Sequence, residues 1–172
     1  MMKTGRLFFA NLLFGLTPPT RCFGLKRVLL RWCGAEIGAN VRIASSARFH
    51  LTGKLVIGDH TWVGHEVLVV GGDAEVTIGA KVDIAPRVMI VTGSHKLIGT
   101  PGRAAGKGYS LPVAIEDGAW LGAAAVILGG VTVGRCSVVA AGALVNRNVA
   151  PETMVAGVPA RPVPQITSHG AE

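Results

Sequence analysis

Five histidines, His50, His60, His65, His95 and His169, are the side chains of this chain best suited to moving a proton at neutral pH, because an unperturbed imidazole titrates near pH 6.5. His95 closes the run Val91-Thr92-Gly93-Ser94-His95 and is followed by a Gly-rich, basic stretch, KLIGTPGRAAGKGYSLPVA, over 96–114. A histidine placed there is suited to accept a proton from a hydroxyl, a role worth about 10²–10⁴ in rate. It is equally suited to anchoring the stretch that follows, and the residues alone leave both readings open. His60 and His65 are five apart with His95 thirty further on, a set that raises the question of a three-histidine zinc site with an open position for water. The stretch after His95 is not a phosphate-binding Walker loop. Gly106-Lys107 is followed by Gly108 where Ser or Thr is needed, and Pro101 stands where the first Gly belongs. His50 and His169 are expected to be inert.

The elements that position these residues follow from composition and spacing. A chain of 172 residues suits one domain. Gly accounts for 24 residues, apolar types for 49% and charged types for 16%, which excludes a disordered chain and a coiled coil. Of nine aromatics, five (Phe8, Phe9, Phe14, Phe23, Trp32) fall in the first 35 residues. The rest must pack with Val, Ile, Leu and Ala.

From Ile37 the sequence repeats every six residues. The register runs Ile37-Gly, Ile43-Ala and Phe49, resumes after two extra residues at Ile57-Gly, Val63-Gly and Val69, then at Ile78-Gly, Ile84-Ala and Ile90, and finally runs from Ile115 through Leu121-Gly, Ile127, Val133-Gly and Val139-Ala to Val145. Position one is nearly always aliphatic, position two is often Gly or Ala, and position five is small or β-branched. Such hexads are the signature of a parallel β-helix with three hexads per triangular coil. Five coils are expected, 37–54, 57–74, 78–95, 115–132 and 133–150, forming a prism roughly 24 Å tall at about 4.8 Å per strand. Position six then points outward. The first face should show Trp62, Asp83 and Trp120. The second should show Arg48, Leu68, Met89, Val126 and Leu144, and the third Lys54, Ala74, His95, Thr132 and Ala150. Four successive outward apolar residues on the second face predict a subunit interface, and a three-sided prism burying one strip suggests a homotrimer. Residues 96–114 should form an extruded loop. Cys136 has no histidine in register with it and reads as a small structural thiol. With Cys22 and Cys33 it is too scattered for a disulfide framework or a zinc site.

Residues 1–36 form a separate arm, 37–150 the repeat body, and 151–172 a C-terminal extension. Lys3, Arg6, Arg21, Lys26, Arg27 and Arg31 give residues 1–35 a charge of +6 without an acidic residue, and the remainder contributes +1 of the total +7. The body is therefore not a nucleic-acid binder. The run LFFANLLFGL over 7–16 is too short to span a bilayer, and no small-x-small cleavage site follows it. Phe23 to Trp32 has the spacing of an amphipathic helix. Two readings stay open for residues 1–34: helices packed on the body, or peripheral attachment to an anionic membrane surface. The expected location is cytoplasmic or peripheral at the inner membrane face.

Val91-Thr-Gly-Ser-His95, Ile115-Glu-Asp-Gly-Ala-Trp120-Leu-Gly, Val139-Ala-Ala-Gly-Ala and Val155-Ala-Gly-Val-Pro-Ala-Arg161 resemble the hexapeptide-repeat acyltransferases, and the run from Phe23 to Gly38 is similar to the colanic-acid-type O-acetyltransferases of exopolysaccharide synthesis. The resemblance spans about 20–163 and implies an all-β fold, a left-handed parallel β-helix with a short helical arm and an extruded loop. It also implies a trimer and acetyl-CoA as donor. The zinc hydratases of β-helix type place a single histidine first and a close pair last; here the order is reversed, and no metal is expected. By the resemblance His95 is the catalytic base and Trp120 flanks the pantetheine arm. The backbone groups at Ala123 and Ala141 meet the pantetheine amides. Asn146 and Arg147 stand where the family has Thr-Lys near the adenosine phosphates, and Arg161 matches a basic residue that meets the 3′-phosphate. Maltose- and galactoside-type members carry an Asn near the position of Val69–Asp73 that this chain lacks, so Asp83, Glu66 and Asp73 become the candidates for gripping a sugar. The expected reaction is O-acetylation of a sugar hydroxyl in polysaccharide or lipid-linked glycan synthesis, by direct transfer at a site between two subunits. The alternatives are O-acetylation of a small molecule, such as an amino-acid hydroxyl or an antibiotic, or a non-catalytic β-helix scaffold.

Overall fold

The computed structural model describes residues 1–100 and 102–164, and the hexads close into a triangular prism. The third face consists of β1 (Glu36–Ile37), β4 (Leu55–Ile57), β7 (Val76–Ile78), β12 (Val113–Ile115) and β15 (Thr132–Val133). The first face carries β2 (Arg42–Ile43), β5 (Trp62–Val63), β8 (Asp83–Ile84), β13 (Trp120–Leu121) and β16 (Val138–Val139), and continues into β18 (Met154–Ala156), on which β19 (Arg161–Val163) folds back antiparallel. The second face holds β3 (Arg48–His50), β6 (Leu68–Val70), β9 (Met89–Val91), β14 (Val126–Leu128) and β17 (Leu144–Val145). Within each face the successive rungs of the coil pair in parallel.

Aliphatics at position one and small residues at position five fill the interior: Ile43, Ala47, Ile84, Val88, Ile127 and Ala143 are all fully buried. Polar residues at position five are answered locally. Thr61 Oγ1 donates to the Gly79 carbonyl at 2.7 Å and Ser137 Oγ to that of Gly134 at 2.6 Å. Glycine at position two lets coils approach: a Cβ on Gly58 would lie 2.5 Å from the Ala80 nitrogen, and one on Gly122 2.6 Å from that of Ala141.

The register of the third face differs from the hexad count. Glu36, Val56, Thr77, Ala114 and Thr132 are aligned there, so of the expected column only Thr132 stays. The residues just before Ile57, Ile78 and Ile115, namely Leu55-Val56, Val76-Thr77 and Val113-Ala114, lengthen the strands. Leu55, Val76 and Val113 alternate with them and are buried, as period two requires of a strand.

The arm folds as α1 (Thr4–Gly15) and α2 (Phe23–Trp32), which close the open end of the prism. Asn11 exchanges two hydrogen bonds with the Phe49 backbone, at 2.8 and 3.2 Å. Lys26 Nζ donates to the Ile43 carbonyl at 2.9 Å and to Ser45 Oγ at 2.7 Å. Arg27 reaches the Val41 carbonyl, and Arg31 those of Ile37 and Gly38. A terminal coil presents unpaired backbone groups, and the basic residues of α2 satisfy its carbonyls. Lys26 is fully buried; loss of hydration lowers its pKa, opposed by the nearby Cys22. No helix among the described residues is long and apolar enough to cross a membrane.

Candidate active site

The edge between the second and third faces is interrupted once, after β9. The chain leaves the prism as a hairpin, β10 (Gly93–Thr100) and β11 (Arg103–Ser110). The extruded segment therefore begins at Gly93, earlier than the loop expected from 96, and His95 lies inside its first strand. In the ladder Gly93 faces Ser110, Ser94 faces Tyr109 and His95 faces Gly108. Gly72 seats the hairpin, since a Cβ there would overlap Ser110 Oγ.

A cleft of about 410 Å³ opens where the hairpin meets the prism, lined by Asp73, Ser94, His95, Tyr109 and Ser110 with Gly72, Gly93 and Gly108 as its side-chain-free parts. His95 is exposed, and its Nδ1 lies 2.9 Å from the Gly106 carbonyl. A carbonyl oxygen only accepts, so Nδ1 carries the proton and Nε2 is left with its lone pair. One imidazole thus anchors the hairpin and offers a base. Ser94, Tyr109 and Ser110 were not singled out by the sequence, which marks them only as part of an irregular Gly-rich segment.

The other sequence candidates fall on different parts of the prism. Asp73 lines the His95 cleft. Asp83 stacks between Trp62 and Trp120 on the first face, which does not border that edge. Glu66 stands at a corner between the first and second faces and pairs with Arg87 at 2.8 Å. Trp120 is 54% exposed, whereas Phe23 packs edge-on against Trp62 and Arg42 stacks on it. Asn146 and Arg147 follow β17 on the His95 edge, and both are exposed. Arg161 begins β19, over the last rung of the first face. His60, His65 and His95 stand on three separate edges, far from a common ligand geometry, and no group of three metal-ligating side chains occurs among the described residues. His169 lies outside the described residues.

Ala123 and Ala141 lie one coil apart on the edge between the first and second faces, both exposed. At the matching position of the edge between the third and first faces, carboxylates answer the backbone amides: Asp59 accepts from Ala39 N, Asp117 from Ala80 N and Glu116 from Arg135 N. Among the described residues nothing accepts from the amides of Ala123 and Ala141. The two free donors are stacked at the spacing of a β-rung, beside methyl side chains, and are open to an extended ligand that offers hydrogen-bond acceptors.

The hexads that build this prism are those of a family of bacterial transferases. A family model, the bacterial transferase hexapeptide (six repeats), matches residues 112–147. Galactoside O-acetyltransferase of Escherichia coli is 34% identical over 145 residues, 82% of this chain and 68% of that protein. The putative colanic acid biosynthesis acetyltransferase WcaF of the same species is 33% identical over 146 residues, 83% and 75% of the two chains. The hexapeptide-repeat acetyltransferase of Vibrio cholerae, solved with acetyl coenzyme A, superposes with a TM-score of 0.79 at 31% identity, covering 96% of this chain and 87% of that one. The chain spans 46% and 57% of the lengths of two yeast putative acetyltransferases that it also matches. The chain belongs to the hexapeptide-repeat acetyltransferases, whose prism is a left-handed parallel β-helix.

Proposed function

We propose that the protein transfers an acetyl group from acetyl-CoA to a sugar hydroxyl in polysaccharide or lipid-linked glycan synthesis, with His95 as general base. The observation that carries the reading is the 2.9 Å contact from His95 Nδ1 to the Gly106 carbonyl, which leaves a basic Nε2 on a side chain lining an open cleft. Acetyl-CoA supplies the acyl group as a thioester. His95 Nε2 takes the hydroxyl proton as the acceptor oxygen attacks the thioester carbonyl; the C–S bond then breaks as the ester forms, and the imidazolium gives the proton to sulfur, so that CoA departs as the thiol. Asp73, Ser94 and Tyr109 on the cleft wall are the groups suited to hold the sugar. The similarity to galactoside O-acetyltransferase and to WcaF supports a glycan acceptor.

The site is completed by a second copy. The outward column of the second face, Leu68, Met89, Val126 and Leu144, is flanked by a second one, Val70, Val91 and Leu128. His95 lies along one border of this face and the Ala123–Ala141 amides along the other. If that apolar strip packs around a threefold axis, the His95 edge of one chain meets the amide edge of the next, and the thioester reaches the base only there.

An acetyl-transfer screen against nucleotide sugars and undecaprenyl-linked oligosaccharides, read by thiol release, tests the reading. Transfer to a glycan is expected. Turnover confined to small amino-acid or antibiotic hydroxyls overturns the acceptor class, and no transfer with any acceptor overturns the activity.

A further inference from the structure

We infer that the acceptor is an anionic glycan, whose carboxylate or phosphate groups are held outside the His95 cleft by Lys96, Arg103 and Lys107 of the β10–β11 hairpin. The inference rests on the acetyl-transfer reading of that cleft and names its substrate class. Residues 93–110 carry these three cations and no carboxylate, so all 10 carboxylates of the chain lie elsewhere. All three are exposed, and none has a side-chain partner among the described residues. On the coils, by contrast, carboxylates answer cations: Glu36 and Glu75 meet Lys54, Glu66 meets Arg87 and Glu152 meets Arg135.

The hairpin bears its charge at a cost. Its rungs pair His95 with Gly108 and Leu97 with Ala105, which leaves Lys96 opposite Gly106-Lys107; a Cβ on Gly106 would lie 2.8 Å from the Lys96 carbonyl. Like charges opposed across paired strands are destabilising, and no carboxylate among the described residues offsets these two. A local rule broken with no structural return is the mark of a functional element. The contact that aims the base also places the charge, because Lys96 follows His95 and Lys107 follows Gly106, the two ends of the 2.9 Å hydrogen bond.

The position of the charge selects a glycan chain. None of the three cations lines the cleft of about 410 Å³, whose walls hold Asp73, Ser94 and Tyr109. Arg103 pairs with Thr100, five residues beyond His95, or roughly 17 Å at about 3.3 Å per residue. A sugar seated in the cleft meets these cations only through the groups attached to it. The donor does not claim them, since the open amides of Ala123 and Ala141 run from the fourth coil to the fifth, away from the third coil that the hairpin leaves. Nor does a neighbouring copy: on the edge that meets His95 in the shared site, Glu66 is already bound to Arg87.

The test titrates the full chain calorimetrically with trigalacturonate, which carries carboxylates, UDP-galactose, which carries phosphates, and maltotriose, which carries neither. Saturable binding of at least one anionic probe is expected, about tenfold or more tighter than maltotriose. It should weaken about tenfold when Lys96→Gln, Arg103→Gln and Lys107→Gln are combined, the scale of a few exposed charge pairs. Which probe binds identifies the anion. Arg103→Gln alone, far from the base, should weaken it about two- to fivefold and keeps the test valid if the triple variant misfolds. His95→Ala should bind as the wild type does, so a failure of the acetyl-transfer reading leaves this result standing, and the converse. Equal affinity for maltotriose, no binding of either anionic probe, or affinity indifferent to the substitutions overturns the inference. So does a folded triple variant that loses CoA affinity at least as strongly, which assigns the cations to the donor, or one whose oligomer dissociates, which assigns them to a second copy. Sedimentation of the wild type with phosphatidylglycerol vesicles in place of probe binding assigns them to a lipid surface and overturns it as well.

Discussion

The Nδ1 of His95 donates a hydrogen bond to the carbonyl of Gly106, eleven residues along the same hairpin and 2.9 Å away. The tautomer and the aim of the imidazole are therefore set by backbone, not by a carboxylate. Replacing His95 with Ala should lower turnover by about 10²–10⁴ while leaving the dissociation constant for CoA within about twofold. Steady-state kinetics with a thiol-release readout, paired with calorimetric titration of CoA, checks both halves; unchanged turnover would remove His95 from the chemistry.

Gly106 makes the complementary experiment possible without touching the base. A Cβ at this position would lie 2.7 Å from Ile98 Cγ2 and 2.8 Å from the Lys96 carbonyl, so Gly106→Ala must displace the strand that carries the accepting oxygen. Misplacing a reacting group by about 1 Å can reduce rate by about 10². The expected outcome is a fall in kcat of about tenfold or more with KM for acetyl-CoA unchanged. A KM effect alone would mean that the hairpin serves donor binding.

The free amides of Ala123 and Ala141 give a prediction about the donor. Pro86 occupies the same corner position one coil before Ala123, so the backbone there already accommodates proline. Ala123→Pro and Ala141→Pro each remove one N–H that nothing among the described residues accepts, and folding should be little affected. A hydrogen bond contributes about 0.5–1.5 kcal/mol net, so each change should raise KM for acetyl-CoA by about two- to twelvefold, with melting temperature as the control. An unmoved KM would place the pantetheine arm elsewhere.

The interface prediction follows from the second face. Val126→Glu or Leu144→Glu puts a charge into the middle of the apolar strip and should yield monomers by sedimentation, inactive because base and donor edge no longer meet. Mixing inactive His95→Ala chains with chains disabled at the donor edge should restore part of the activity, through the mixed sites that keep both. Full activity in a monomer would overturn the shared site.

Much of this was legible in the hexads. An aliphatic at position one and a small residue at position five can point inward together only if the chain turns a corner between them, which specifies the prism and the outward columns of the first and second faces. The third-face column went astray because a hexad count treats Leu55, Val76 and Val113 as interruptions, whereas their alternation with Ile57, Ile78 and Ile115 marks longer strands. That a terminal coil leaves the carbonyls of Ile37, Val41 and Ile43 for Arg31, Arg27 and Lys26 was not legible in the arm's charge, because which carbonyls lack a partner is a tertiary fact. Within the cleft, His95 and Asp73 could be picked out by residue type and position. Ser94, Tyr109 and Ser110 could not, because pairing across a hairpin of irregular register is a tertiary fact.

Buried Lys26 and Cys33 make alkaline stability a signature of the arm's docking. Burial lowers the Lys26 pKa in the folded state, so between that value and the ordinary lysine value the unfolded chain binds more protons. Stability from this group therefore rises with pH across that interval. Burial raises the Cys33 pKa, against the pull of Arg6, so above the ordinary thiol value the unfolded chain holds the ionised form, and stability from this group falls as pH rises. The two slopes oppose each other and are separable by substitution. In a Cys33→Ala background, the difference in melting temperature between Lys26 and Lys26→Met chains should shift in favour of lysine as pH is raised from about 7 to about 10. With Lys26 restored in both, the cysteine chain should lose ground to Cys33→Ala above about pH 9. A Lys26→Met difference that is flat with pH would mean that the ammonium stays hydrated and that α2 does not seal the first coil.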